Sequence, residues 1–156
     1  MHIRRATVQD MDGLMRLLRQ VLMVHHKGRP DLFKPDAEKY TPEELTQILQ
    51  DDTRPIFVGV DEEENVLVYA FCIFQQHINN NILTDIKTLY IDDLCVDEKV
   101  RGQHLGSTMF KYVKEFAKES GCYNLTLNVW ALNESAMKFY QRMGMDVQKT
   151  YMENIL

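Results

Sequence analysis

The sequence predicts a mixed α/β (α+β) fold, a central sheet flanked by helices on both faces. Three observations carry this. Segments with apolar residues every three or four positions interleave with segments of strand character. The run Val66 to Phe74 is almost wholly apolar, as expected of a central strand covered on both faces. The strand-helix-strand unit over 88–129 implies a right-handed parallel crossover. At 156 residues, one domain (1–156) is expected, with a core that needs neither disulfides nor a metal.

Element by element, residues 1–7 alternate as a short strand, and Thr7 then caps a helix with Asp10 in its acid-favoured first turn. Met11, Leu14, Met15, Leu18, Val21 and Leu22 form the apolar stripe of that helix, which Gly28-Arg29-Pro30 stops. Residues 27–40 read as a loop. Thr41-Pro42-Glu43-Glu44 opens a second helix, with Thr41 as cap, Pro42 at the first position and Glu44 closing a capping box. Strands are expected over 55–61 and 65–76, joined by the acidic turn Asp61–Asn65, and another over Leu89–Val96. A long amphipathic helix is expected over 102–120, with Gly121 at its C-terminal stop. Tyr123, Leu125, Leu127 and Val129 alternate with polar residues as a strand. Asn133 caps a short helix that Gly144 ends, and a hairpin-like pair is expected over 145–156.

Composition narrows the function. The net charge of −5 argues weakly against nucleic acid and mildly for a cationic partner, and ordinary solubility charge is the simpler explanation. No apolar run is long enough to span a membrane, and none follows Arg4 and Arg5 as in a secretory signal, so a cytoplasmic protein is expected. Cys72, Cys95 and Cys122 lack CxxC spacing and read as free thiols in a reducing compartment. The histidines are scattered, so no metal site is expected.

The stretch most informative about chemistry runs from Tyr90 to Ser107. An apolar strand enters a turn rich in Gly, Arg and small polar residues, and a helix follows. A helix N-terminus presents unpaired N–H groups and a positive partial charge, which suit a pyrophosphate. Gly102 and Gly106 let phosphate oxygens approach the backbone, and Lys99 and Arg101 add positive charge. The residues alone also allow a tight turn that binds nothing. Neither a Walker loop nor a GxGxxG fingerprint is present.

This stretch resembles the pyrophosphate loop of the GNAT superfamily of N-acetyltransferases, Arg/Gln-x-x-Gly-x-Gly/Ala. Arg101 fills its first position and Gly106 its last, and His104 stands where the middle glycine belongs. A second block, Asn133 to Met145, is similar to the family's Asn-x-x-Ala-x-x-Phe-Tyr-x-x-x-Gly-Phe signature, and the two blocks come in the family's order. The resemblance implies a mostly antiparallel sheet, acetyl-coenzyme A as acyl donor, and a primary amine acceptor on a small molecule or a protein. It also allows a homodimer.

Residue by residue, the resemblance implies a site. The backbone of Leu94, Cys95 and Val96 would pair with pantetheine and polarise the acetyl carbonyl. Arg101, Gly102, Gln103, His104, Leu105, Gly106 and Ser107 would hold the pyrophosphate, and Asn133 would contact coenzyme A besides capping its helix. Asp92 or Asp93 would accept the amine's proton or anchor its ammonium. Neighbours on a strand face opposite ways, so only one can serve unless a bulge intervenes. Tyr140 matches the general acid for the departing thiolate. Simpler readings stand beside these: carboxylates that only tie loops together, and a Tyr140 that is only a packed aromatic. Cys95 reads as a buried apolar residue rather than a nucleophile. The alternative function is a non-catalytic coenzyme A-binding module on the same fold.

Overall fold

The computed structural model describes residues 1–156. Its strands are β1 (His2–Arg5), β2 (Ile56–Val60), β3 (Val66–Gln76), β4 (Lys87–Val96) and β5 (Asn124–Leu127). Its helices are α1 (Met11–Gly28), α2 (Pro42–Leu49), α3 (Leu105–Glu119) and α4 (Glu134–Arg142). The five strands form one open sheet in sequence order, antiparallel from β1 to β4, with β5 parallel to β4. The mixed, mostly antiparallel sheet expected from sequence is therefore present.

The local signals act where they were read. Thr7 and Asp10 close a capping box on a 3-10 turn, Val8–Asp10, that leads straight into α1. Thr41 and Glu44 close the second box, with Pro42 opening α2. The two-residue period of the strands divides the core between the faces. Val58, Val60, Tyr69 and Phe71 pack with Leu14, Leu17 and Leu18 of α1 and Leu45 and Ile48 of α2. On the other face Phe57, Val68, Ala70, Leu89 and Ile91 pack with Met109, Phe110, Val113 and Ala117 of α3.

Two places depart from expectation. Helix α3 begins at Leu105 rather than 102, because Gly102 (φ +82°) and His104 (φ +60°) take left-handed conformations that a helix cannot include. The expected C-terminal strand pair does not form. Residues 145–156 carry neither helix nor strand, and beyond Met145, whose N–H donates to Tyr140 O at 3.1 Å, no backbone N–H of this segment makes a backbone hydrogen bond. Strand-forming residues do not make a strand without a partner edge, and this segment pairs with none.

Candidate active site

The site is built at a fault in β4. In the β3–β4 ladder Phe71 opposes Asp93 and Cys72 opposes Ile91, so Asp92 is the extra residue of a bulge. The bulge cancels the strict alternation, and both carboxylates reach one cation. Lys39 Nζ lies 2.9 Å from Asp92 Oδ2 and 3.7 Å from Asp93 Oδ2. Tyr40 Oη donates to Asp92 at 3.4 Å and Tyr69 Oη to Asp93 at 3.0 Å. Tyr69 is fully buried in the α1-side core, which fixes its hydroxyl beneath Asp93.

The electrostatics separate the groups. Burial pushes the Asp93 carboxyl above the ordinary carboxylate range, although Lys39 and the Tyr69 hydroxyl oppose it. Burial also disfavours the Lys39 ammonium, but Asp93 and Asp92 outweigh it and hold its pKa above ordinary. Lys39 is thus a cation seated over both carboxylates. Burial lowers the pKa of His25, which also senses Asp93 and Lys39, and its ring packs against Phe33 (centroids 5.0 Å apart) and Trp130 (6.3 Å).

Beyond the bulge, β5 parts from β4. The ladder ends at Ile91–Leu127, so residues 92–96 have no strand on that side. The backbone of Leu94, Cys95 and Val96 lies along this free edge, and Arg101 Nε reaches the Val96 carbonyl there at 3.5 Å. The Cys95 side chain turns the other way, into the α1-side core, where burial pushes its thiol up to about 12. A thiol held so firmly protonated is no nucleophile.

The loop after β4 is braced at its root. Asp97 is buried, accepts from Lys99 N at 3.1 Å and is gripped by Arg16. Arg101, Gly102, Gln103 and His104 then turn at the surface into α3. His104 supplies no side-chain cap, and the first α3 amide bonded back to the chain is that of Thr108, 3.1 Å from His104 O. The amides of Leu105, Gly106 and Ser107 have no backbone partner, as at any helix N-terminus. A Cβ on Gly106 would stand 3.3 Å from Val96 and 3.7 Å from the Phe139 ring, so the glycine lets α3 sit tight between β4 and α4.

Helix α4 closes the far side. Asn133 Oδ1 accepts from Ala136 N at 3.1 Å and caps it. Tyr140 packs on Phe110 (6.0 Å) and Phe139 (5.0 Å), and its hydroxyl has no protein hydrogen-bond partner. Burial, with lesser contributions from Asp93 and Cys95, raises its pKa. Tyr140 thus lies within electrostatic reach of Asp93, and the free edge of β4 runs from Asp93 towards the 101–107 loop. Sequence reasoning missed Lys39, Tyr40 and Tyr69. Lys39 and Tyr40 sit just before the Thr41 cap, in a segment with no motif, and no spacing rule ties them to Asp92.

Known proteins similar to this chain share its fold and a family profile. A profile of the acetyltransferase (GNAT) family matches residues 21–145. Thialysine N-epsilon-acetyltransferase of Bos taurus is 38% identical over 58 residues, 37% of this chain and 34% of that protein. Glucosamine 6-phosphate N-acetyltransferase 1 of Dictyostelium discoideum is 28% identical over 93 residues, 60% of this chain and 56% of that protein. The chain thus spans between a third and about half the length of these relatives. A crystal structure of a mutant BH1408 protein from Bacillus halodurans superposes with a TM-score of 0.95 at 35% identity, covering 100% of this chain and 99% of that one.

Proposed function

The chain belongs to the acetyltransferase (GNAT) family, and from that premise we propose that it transfers an acetyl group from acetyl-coenzyme A to a primary amine by direct attack in a ternary complex. The observation that carries this reading is the Lys39 ammonium seated over Asp92 and Asp93, which marks a place where a protonated amine is held.

The acyl donor fits the other half of the cleft. Its pyrophosphate would lie on the free amides of Leu105, Gly106 and Ser107, near Arg101, and its pantetheine along the free edge of Leu94–Val96. N–H groups on that edge would polarise the acetyl carbonyl, as in an oxyanion hole. A lysine-like amine must lose a proton before it attacks, at a cost of about 4.6 kcal/mol at pH 7. Asp93, with its pKa raised by burial, is a stronger base than an ordinary carboxylate and takes that proton directly or through water. The amine nitrogen bonds to the acetyl carbon, the C–S bond breaks with its electron pair left on sulfur, and the nitrogen gives up its second proton, which through solvent restores the Tyr140 phenol after that has protonated the thiolate.

Tyr140 then protonates the thiolate. Its raised pKa would oppose this in water. A coenzyme A thiolate shielded from water would be disfavoured too, which brings the two affinities closer together. The Lys39 ammonium competes with the acceptor for Asp92 and Asp93, and the acceptor's ammonium takes its place on binding.

The test is release of coenzyme A thiol from acetyl-coenzyme A across a panel of primary amines, with calorimetric titration of the donor alongside. Amine-dependent release, lost in Asp93→Asn, supports the reading. Binding of the donor with no release to any amine would favour a coenzyme A-binding module, and no binding would remove both.

A further inference from the structure

We infer that Lys39 is itself a modification site: with acetyl-coenzyme A bound and no acceptor present, its side-chain nitrogen takes the acetyl group, and the product stays in the acceptor's seat. On the acetyl-transfer reading, on which this rests, the site acetylates primary amines, and it already contains one. Lys39 Nζ lies 2.9 Å from Asp92 Oδ2 and 3.7 Å from Asp93 Oδ2. No other lysine meets two carboxylates; Lys118 pairs with Glu115 alone and Lys138 with Glu134 alone. The free edge of β4 continues from Asp93 into Leu94, one strand step of about 3.3 Å further on.

The neighbours of Lys39 hold it in place. Glu38 accepts from Arg19 Nε of α1 at 3.2 Å. The Tyr40 ring stacks on Phe71 of β3 with centroids 5.9 Å apart. Lys39 therefore projects from a stretch of chain anchored on both sides. Each carboxylate also has a tyrosine hydroxyl of its own, Tyr40 on Asp92 and Tyr69 on Asp93. The lysine side chain is 33% exposed, so its nitrogen is not sealed away from a donor entering the site.

The step balances. Asp93 takes one proton from the Lys39 ammonium, Nζ bonds to the acetyl carbon, and the C–S bond breaks with its electron pair on sulfur. Tyr140 protonates the sulfur, and the second proton lost by Nζ restores the phenol through solvent. The products are acetyl-Lys39, coenzyme A thiol and one proton, which Asp93 returns to water. Acetyl-Lys39 carries no charge, and its amide stays tethered beside Asp92 and Asp93, where an acceptor's ammonium would sit. The modified chain is closed to acceptors, and it forms when acceptors are scarce.

Uncatalysed acetylation would give the opposite pattern. Burial disfavours the Lys39 ammonium, but Asp93 and Asp92 outweigh it and hold the proton more firmly than in an ordinary lysine. Only the neutral amine attacks, so a soluble acylating reagent should reach the exposed lysines first.

The full chain is incubated with acetyl-coenzyme A alone and, in parallel, with N-hydroxysuccinimidyl acetate, and peptide mass mapping follows each lysine. Acetyl-coenzyme A should modify Lys39 roughly tenfold or more faster than any other lysine. The rate per chain should not depend on protein concentration. The reagent should modify Lys39 among the last. Asp93→Asn, with its fold checked by circular dichroism, should lose the fast modification, and Lys39→Arg should show none at that position or elsewhere. Lys39 left unmodified, or modified no faster than the exposed lysines, overturns the inference. So does equally fast modification in Asp93→Asn. So does reagent labelling of Lys39 as readily as of exposed lysines, which would mean that it does not sit over the carboxylates. An unmodified Lys39 in a chain that acetylates free amines sinks this inference and spares the acetyl-transfer reading, whereas failure to bind the donor sinks both.

Discussion

At the scale of the residue, the cleft is governed by what faces Asp93. Burial raises its pKa, while Lys39 and the Tyr69 hydroxyl hold the rise in check. The acidic limb of kcat/KM reports the free enzyme's base, so it should lie above the ordinary aspartate value of about 3.9. Lys39→Ala removes the larger restraint. The carboxylate then loses its stabilising cation, its pKa climbs further, and the limb moves towards neutral pH. Tyr69→Phe should move it the same way by less. An unmoved limb in Lys39→Ala would show that Asp93 is not the base, and Asp92→Asn becomes the next variant to profile. Tyr140 belongs to the same scale. With no hydrogen-bond partner in the protein, its hydroxyl has no structural task, whereas its ring packs on Phe110 and Phe139. Tyr140→Phe keeps the ring and should lower kcat about 100-fold while the affinity for acetyl-coenzyme A stays nearly constant. Unchanged kcat would reduce Tyr140 to packing.

At the scale of the element, the turn between β4 and α3 combines a strained residue with a close approach. His104 stands at φ +60° without a side-chain cap, a conformation that costs a residue with a Cβ on the order of 1 kcal/mol. His104→Gly should therefore stabilise the fold by up to about that amount in a urea titration, with affinity for the pyrophosphate kept, because the loop binds through backbone. Gly106 is the opposite case. Gly106→Val drives methyls into Val96 and Phe139 and should cost about 1–3 kcal/mol while weakening donor binding. If Gly106→Val binds normally, the amides of that turn are not the phosphate cradle. Much of this element was legible in the sequence. Arg101, Gly102 and Gly106 mark the turn, and the caps at Thr7, Thr41 and Asn133 act where they were read. The bulge at Asp92 was not legible, because it is set by register against β3 and leaves no mark on local spacing. Lys39 was hidden for a related reason, since its partner lies 53 residues away and only the tertiary fold brings the two together.

At the scale of the whole molecule, the sequence misled about 145–156, and the physical reason is informative. A hairpin needs a partner edge as well as strand-forming residues, and residues 145–156 pair with none. What the segment makes instead is an ion pair: Glu153 meets Arg29, which Asp31 also holds, at the C-terminal end of α1. Exposed pairs of this kind add little to stability, because water and salt screen them. Truncation after Met145 removes that pair and no residue of either hydrophobic core, so the midpoint of a urea titration should hardly move. A large fall in the midpoint would show that residues 146–156 hold the two cores together in a way that their exposure conceals.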